Sequence, residues 1–259
     1  MTTITPISQS RHSALRWRRW DSYAFAAKHA VVPLIAAELA KAVLAFPIAL
    51  IRKNEAFVPV AVLGLEAGRN LFVAEDGRWL GAYVPAALRG YPFVLGRTEE
   101  GKQLLCVDEG SGLVGGSEGE RFFEDDGTPS KVVRQIMDFL TQMERNRDAT
   151  AAACAALQSC NLIEPWPLAV KTVQDERKID GLFRINEAAL NALDDEAFLG
   201  VRRSGGLPVA YAQLLSMQQV RVLDLASTRA KRAQEALVAP DLDLSWLDSD
   251  ILKLGGKPH

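Results

Sequence analysis

The sequence predicts an α+β fold, with a largely antiparallel sheet in the N-terminal half and helices concentrated in the C-terminal half. Short apolar runs separated by turn residues fill residues 46–107, which is the pattern of consecutive strands. Apolar residues recur at helical spacing from about residue 128 onward. Strands and helices therefore do not alternate throughout, as a parallel sheet would require, and the α+β class is favoured.

The predicted strands come in pairs. Residues 46–51 (FPIALI) and 57–65 (FVPVAVLGL) are apolar and flank the polar stretch RKNEA, and Asp76-Gly77 is a two-residue hairpin signal between LFVAE and Arg78-Trp79-Leu80. Residues 83–91 predict one or two helical turns. A further hairpin is predicted where YPFVLG and KQLLCVD flank residues 98–101.

The predicted helices follow from capping and spacing. Thr128 is a candidate cap, and Pro129 suits the first helical position of a helix that continues to about Leu157. Two strands are predicted at 162–173 and 179–185, then a helix over 186–203. Gly205-Gly206 ends that helix, and Pro208 opens another helix that carries Tyr211, Leu214, Leu215, Val222 and Leu225.

Composition excludes several classes of protein. The chain has 259 residues, 48% of them hydrophobic and 24% charged, with a formal net charge of −2. Such a balance gives no basic surplus for nucleic-acid phosphates, so we expect no nucleic-acid partner. The longest apolar zone, residues 24–50, is interrupted by Lys28, Glu38 and Lys41, so we expect neither a secretory leader nor a membrane span. The cysteines, too few for a disulfide scaffold, suit the reducing cytoplasm.

Three short strings match catalytic motifs in letters but not in context. Residues 110–115 (GSGLVG) spell a dinucleotide fingerprint, yet a polar, glycine-interrupted stretch follows where a helix is required. Residues 96–102 resemble a phosphate loop with two internal glutamates and no following Ser or Thr. Residues 115–119 match a nucleophile elbow, but only the terminal His259 follows Ser117. We therefore expect these segments to be loops or turns.

Metal and cofactor binding are not predicted. Three histidines and three cysteines are scattered along the chain without zinc-ligand spacing. The acidic stretch over residues 118–126 lacks the ligand alternation of a calcium loop. We expect no metal and no cofactor.

One cluster near the N-terminus is a candidate ligand- or partner-binding site. We call it the arginine–tryptophan cluster, and it consists of Arg11, His12, Arg16, Trp17, Arg19 and Trp20. Guanidinium donors and indole faces suit a phosphate, a carboxylate or a peptide backbone. Alternatively, the tryptophans pack inward while the arginines pair with acidic residues elsewhere, and we favour this second interpretation.

The chain divides into a predicted domain over residues 1–240 and a C-terminal tail over residues 241–259. The tail alternates aspartates with bulky apolar residues, and its candidate partner-binding residues are Leu244, Trp246, Leu247 and Ile251. Such a segment can dock as an amphipathic helix in the groove of a partner, or it can fold over the core of its own chain. The exposed edges of the predicted sheet are a third docking surface.

Several long segments resemble the SapC family. Residues 59–93 (PVAVLGLEAGRNLFVAEDGRWLGAYVPAALRGYPF) and 180–217 carry most of the resemblance. Shorter segments at 23–39, 104–112 and 118–130 are also similar. The similarity runs in order from about Arg11 to Leu225 and does not extend into the tail.

The resemblance implies a role in surface-layer (S-layer) protein export, and it supplies no catalytic residues. It also implies an association with flavin-dependent, tryptophan-halogenase-like proteins and TonB-dependent receptors, and hence the handling of a peptide or an imported ligand. We expect a cytoplasmic, non-catalytic binding or accessory protein with a protein or peptide partner. The alternative is an enzyme, or an enzyme subunit, that modifies a peptide or small metabolite, with His12 or His29 as acid–base group. A structural subunit of the surface layer would require an export signal.

Overall fold

The computed structural model of the chain describes residues 3–171 and 176–238. The sheets lie mainly in the N-terminal half and the longest helices in the C-terminal half, so the predicted α+β class is confirmed. The strands are β1 (Ile4–Pro6), β2 (Arg16–Trp17), β3 (Val31–Pro33), β4 (Ile48–Lys53), β5 (Ala56–Val62), β6 (Phe93–Arg97), β7 (Gln103–Asp108), β8 (Glu120–Arg121), β9 (Ile163–Pro165), β10 (Leu168–Lys171), β11 (Glu176–Ile179) and β12 (Leu182–Ile185).

Two of the helices are long, and the others are short connections between strands or neighbouring helices. The helices are α1 (Gln9–His12), α2 (Leu39–Ala42), α3 (Ala86–Arg89), α4 (Lys131–Ser159), α5 (Glu187–Asn191), α6 (Asp195–Arg203), α7 (Gly206–Ser216) and α8 (Val220–Val238). Single 3₁₀ turns precede α2, follow β7 and join α7 to α8.

The central sheet has five strands in the order β3-β5-β4-β12-β9, and each neighbouring pair is antiparallel. The β4–β5 hairpin is the one that the apolar runs predicted. Two strands from the C-terminal half, β12 and β9, complete this sheet. The sequence analysis did not predict this, because it placed the sheet largely in the N-terminal half. A second sheet has the order β1-β7-β6 and contains the predicted hairpin around Gly101, whose φ of +82° suits glycine.

Helix α4 connects two hydrophobic cores. Its C-terminal half buries Cys154 and Leu157 in the main core, against the central sheet. Its N-terminal half buries Val133 and Leu140 in a second core that also contains Trp17. Because α4 has 29 residues, it spans about 43 Å and reaches both cores.

Buried polar side chains connect α7 to the central sheet. Gln213 accepts a hydrogen bond from the Ile185 backbone at 2.9 Å, and its amide nitrogen donates to the Ile48 carbonyl at 3.3 Å. The Ser216 hydroxyl accepts from the Ile48 amide at 2.9 Å. These bonds satisfy backbone groups of β12 and β4 that would otherwise lie buried without partners.

Several predicted boundaries were wrong. The cap of α4 is Ser130, whose hydroxyl accepts from the Val133 amide, while Thr128 binds Asp126 in the preceding turn. The helix predicted over 186–203 is two helices, because Asp194 caps a new one by accepting from the Ala197 amide.

The remaining differences concern strands. The segments predicted as two strands at 162–173 and 179–185 form β9 to β12. The Asp76-Gly77 turn closes only one bridge, between Val73 and Trp79.

Candidate functional site

The structure divides the arginine–tryptophan cluster between two environments. Arg11 donates to both carboxylate oxygens of Glu109, from Nε at 2.6 Å and from a terminal nitrogen at 2.7 Å. His12 is completely buried against Phe122, and its Nε2 lies 3.2 Å from Glu109 Oε1 without hydrogen-bond alignment. The hydrogen bond from Arg11 lowers the pKa of Glu109 and raises the pKa of Arg11. These two residues hold the N-terminal segment to the loop after β7.

The rest of the cluster begins on β2, which pairs with β8. Arg16 is half-buried, and its backbone pairs opposite Arg121. Trp17 is 2% exposed and meets Phe93 edge to face, with ring centroids 4.8 Å apart. Trp17 Nε1 finds no hydrogen-bond partner within residues 3–171 and 176–238. An inward-packing tryptophan is what the second interpretation of the cluster predicts, and it anchors β2 to the second core.

Trp17, Arg19 and Trp20 nevertheless line a cavity of about 210 Å³, which we call the aromatic cavity. The residues that complete it come from the end of α3, from β6 with the turn before it, and from α4. They are Arg89, Gly90, Tyr91, Phe93, Val132, Gln135, Ile136 and Phe139. Half of the predicted cluster therefore lies at one concave site, together with residues far away in the chain.

A buried carboxylate beside this cavity organises its arginine. Glu38 is 4% exposed and accepts from the Ile35 amide at 3.0 Å, the Ala86 amide at 2.7 Å and the Tyr83 hydroxyl at 2.9 Å. Arg89 donates to the Tyr83 hydroxyl at 2.9 Å and lies 3.9 Å from Glu38. Burial, followed by the charge of Glu38, raises the pKa of Tyr83 to about 12. The hydroxyl therefore stays a proton donor to Glu38.

The sequence analysis missed this network. It treated Glu38 only as a charge that interrupts an apolar zone. The position of Glu38 inside an apolar run was nevertheless a signal, because a lone acid that is buried needs hydrogen-bond partners. Two of those partners, Tyr83 and Ala86, lie 45 and 48 residues away, where no local pattern indicates them.

A larger concave site, which we call the main groove, has a volume of about 890 Å³. It lies between residues 69–82 and one face of α8, with the end of α2 beside them. Its lining is mostly apolar, and three leucines leave much of their surface in solvent: Leu44 is 76% exposed, Leu225 57% and Leu80 46%. Leu225, Tyr211 and Leu215, which the sequence analysis placed on one helix, are all exposed.

The main groove carries charges of both signs. Arg78 donates to Asp76 at 2.6 Å, and this bond lowers the pKa of Asp76. Arg69 lies 3.4 Å from Glu66, whereas Arg229 on α8 has no carboxylate partner within the described part of the chain. The described lining residues include no histidine, cysteine, serine, threonine, tyrosine or lysine. The groove therefore presents apolar surface and guanidinium donors, and the carboxylates of Glu75 and Asp76 are the general-base candidates of its described lining.

The structure also places the remaining candidate residues of the sequence analysis, except those of the tail. The 110–115 string forms a 3₁₀ turn and a loop in which Gly112 has a φ of +73°, so it is a loop as expected. His29 lines neither site. Among the described residues no group of three His, Cys, Asp or Glu side chains could hold a metal ion. The tail residues Leu244, Trp246, Leu247 and Ile251 lie outside the described residues.

The described helices are too short or too polar to cross a lipid bilayer.

Comparison with known proteins gives one match: a family model described as SapC matches residues 7–223, which is most of the chain. No curated protein and no solved structure matches. The two segments with the strongest resemblance, 59–93 and 180–217, lie within the matched range, and the first of them contributes to both concave sites. The chain belongs to the SapC family.

Proposed function

We propose that this SapC-family protein is a non-catalytic binding protein, and that its main groove takes an amphipathic, carboxylate-bearing segment of a partner protein. The observation that carries the proposal is the groove itself, about 890 Å³ in volume and lined mostly by apolar side chains. Exposed contiguous apolar surface with a polar rim is typical of interaction sites.

The exposed leucines provide the driving force. Leu44, Leu80 and Leu225 together leave roughly the surface of two leucine side chains in water. Covering that surface contributes about 3 kcal/mol, which is a substantial part of the binding free energy of a peptide segment. The leucines come from three separate parts of the chain, so one ligand has to span residues 69–82 and α8.

The guanidinium groups favour an acidic ligand. Arg229 is exposed and lacks a carboxylate partner within the described residues, Arg78 is also exposed, and Arg69 is half-buried. A partner carboxylate opposite Arg229 gains a charge-assisted hydrogen bond. Glu75 and Asp76 in the same lining disfavour a ligand with more than a few negative charges.

The chain itself supplies a probe of the right chemistry. Residues 241–254 (DLDLSWLDSDILKL) combine four aspartates with apolar residues at 244, 247, 251 and 254, a spacing that places them on one face of a helix. The experiment titrates a fluorescent 241–254 peptide with full-length protein carrying Leu247→Asp and Ile251→Asp. These two changes keep the protein's own tail from competing with the peptide.

We expect saturable binding by fluorescence anisotropy. Leu225→Asp in the same background should weaken binding at least about tenfold, since it places a charge among apolar contacts. The control is Leu199→Asp on α6, which is also exposed, at 38%, and lies outside the groove. The absence of saturable binding, or equal losses from both variants, would contradict the proposal.

Family membership suggests where such binding is used. We propose that the segment belongs to a protein handled during surface-layer export, or to a tryptophan-halogenase-like partner, and that binding takes place in the cytoplasm. The free thiols of Cys106, Cys154 and Cys160 support a reducing compartment. The enzyme alternative has less support, because neither His12 nor His29 lines the groove or the aromatic cavity.

A further inference from the structure

The aromatic cavity differs from the main groove in size, in its walls and in charge. At about 210 Å³ it holds the volume of roughly seven water molecules. A ligand of about ten non-hydrogen atoms fills such a space, whereas a folded segment of a partner does not. The cavity therefore suits a small molecule or one terminal residue of a chain.

The walls of the cavity are aromatic, and their rings are supported by contacts with other rings. Trp17 meets Phe93 edge to face, and Trp20 meets Phe25 in the same way at 6.3 Å. Phe25 in turn stacks on Tyr91, with centroids 4.0 Å apart and ring planes 8° from parallel. Because these rings support each other, the cavity keeps its shape without a ligand, and flat apolar groups fit against it.

The charged groups of the cavity are all cationic. Its described lining contains two guanidinium groups and the Gln135 amide, and no carboxylate. Arg89 lies over Phe139, 5.7 Å from the ring centroid, and among the described residues its one hydrogen bond goes to the Tyr83 hydroxyl. Its nearest carboxylate, Glu38, already accepts three other donors.

Most N–H donors of Arg89 are therefore available to a ligand, since a guanidinium has five. The second cation, Arg19, is exposed and has no carboxylate partner within the described part of the chain. Glu38, at 3.9 Å, balances part of the charge of Arg89, whereas Arg19 has no such partner in the described part of the chain, so the cavity keeps a positive charge that attracts an anion.

We propose that the aromatic cavity is a second binding site, specific for an apolar carboxylate: a small aromatic acid, or the C-terminal residue of a peptide. Arg89 holds the carboxylate with its planar pair of donors, and Arg19 adds a second charge at the opening. The aromatic walls cover the apolar body. A phosphate dianion fits less well, because it has no apolar body to cover the aromatic walls.

The experiment compares three probes that share a benzyl group. Phenylacetate carries the acid, phenylacetamide is its neutral counterpart, and N-acetylphenylalanine represents a chain end. Binding to the full-length protein is followed by calorimetry and by tryptophan fluorescence, since Trp17 and Trp20 form part of the wall. We expect phenylacetate to bind at least about tenfold more tightly than phenylacetamide. Tight binding of N-acetylphenylalanine assigns the site to peptide ends, and its failure to bind assigns the site to free acids.

Two variants and one control test the residues. Arg19→Gln should weaken phenylacetate binding about fivefold, and Arg89→Lys about tenfold, because lysine keeps the charge but loses the planar pair of donors. Arg18→Gln is the matched control, since Arg18 is an exposed neighbour outside the cavity lining. Thermal unfolding of each variant reports whether the fold is kept.

The proposal is overturned if the acid and the amide bind equally, if neither binds, or if Arg18→Gln costs as much as Arg19→Gln. None of these outcomes bears on the main groove, whose peptide is tested with different variants.

Discussion

Replacing Glu38 by glutamine tests whether the network beside the aromatic cavity stabilises the fold. Glu38 Oε2 accepts from Tyr83 and the Ala86 amide, while Oε1 accepts from the Ile35 amide. An amide has one oxygen, so one of these positions becomes an N–H group. The natural placement of the oxygen keeps two donors satisfied and sets an N–H against the Ile35 amide.

The cost follows from what is lost. One charge-assisted hydrogen bond disappears, two others become bonds to a neutral oxygen, and the partly buried Ile35 amide loses its acceptor. We expect Glu38→Gln to lower the free energy of unfolding by about 3 kcal/mol. With the denaturant dependence typical of a chain of this size, the urea midpoint falls by about 1 M.

The assay is equilibrium urea unfolding followed by circular dichroism, and the control is Glu99→Gln on the exposed β6–β7 turn. The control should change the free energy of unfolding by less than about 0.5 kcal/mol. If Glu38→Gln is as mild as the control, the three hydrogen bonds do not stabilise the fold as argued.

Three further predictions rest on separate parts of the structure. Gln213→Leu should lower the free energy of unfolding by about 2 kcal/mol in urea titrations, because the Ile185 amide loses its acceptor. Burial raises the pKa of the Cys154 thiol to about 12, so mass spectrometry after iodoacetamide treatment near neutral pH should find Cys160 labelled well before Cys154; equal labelling would contradict this. Arg11 holds the pKa of Glu109 below its ordinary value of 4.5. That contribution is present above pH 4.5 and is lost as pH falls through the lowered pKa, so Arg11→Gln should show a smaller loss of stability between roughly pH 5 and pH 3 in acid titrations.

The sequence predicted those elements that are determined by residues close to one another in the chain. The β4–β5 and β6–β7 hairpins follow from apolar runs around polar turns, and α4 follows from one apolar stripe. The predicted start of α4 was wrong because the sequence offers two capping residues. Thr128 and Ser130 both precede the helix, and Asp126 binds Thr128, which leaves Ser130 to cap α4.

The sites could not be predicted in the same way, because each is built from distant segments. Trp17, Arg19 and Trp20 were identified from their clustering, but the cavity exists only because α3, β6 and α4 bring Arg89 and Phe139 to them. Arg11 and His12 are neighbours in sequence and lie elsewhere, since α1 places both of them against Glu109. Proximity in sequence indicated the residues and not their partners.

One continuous segment connects the two sites, and this decides which substitutions are informative. Residues 69–82 line the main groove, and Arg89 lines the aromatic cavity. Between them, Trp79 donates to the Tyr83 carbonyl at 2.8 Å, and Tyr83 binds both Glu38 and Arg89. A substitution at Tyr83 or Glu38 therefore alters the support of both sites, and a loss of binding there cannot be assigned to either one. Leu225 lines only the main groove and Arg19 only the aromatic cavity, and neither takes part in these hydrogen bonds, so a binding loss at either position belongs to one site alone.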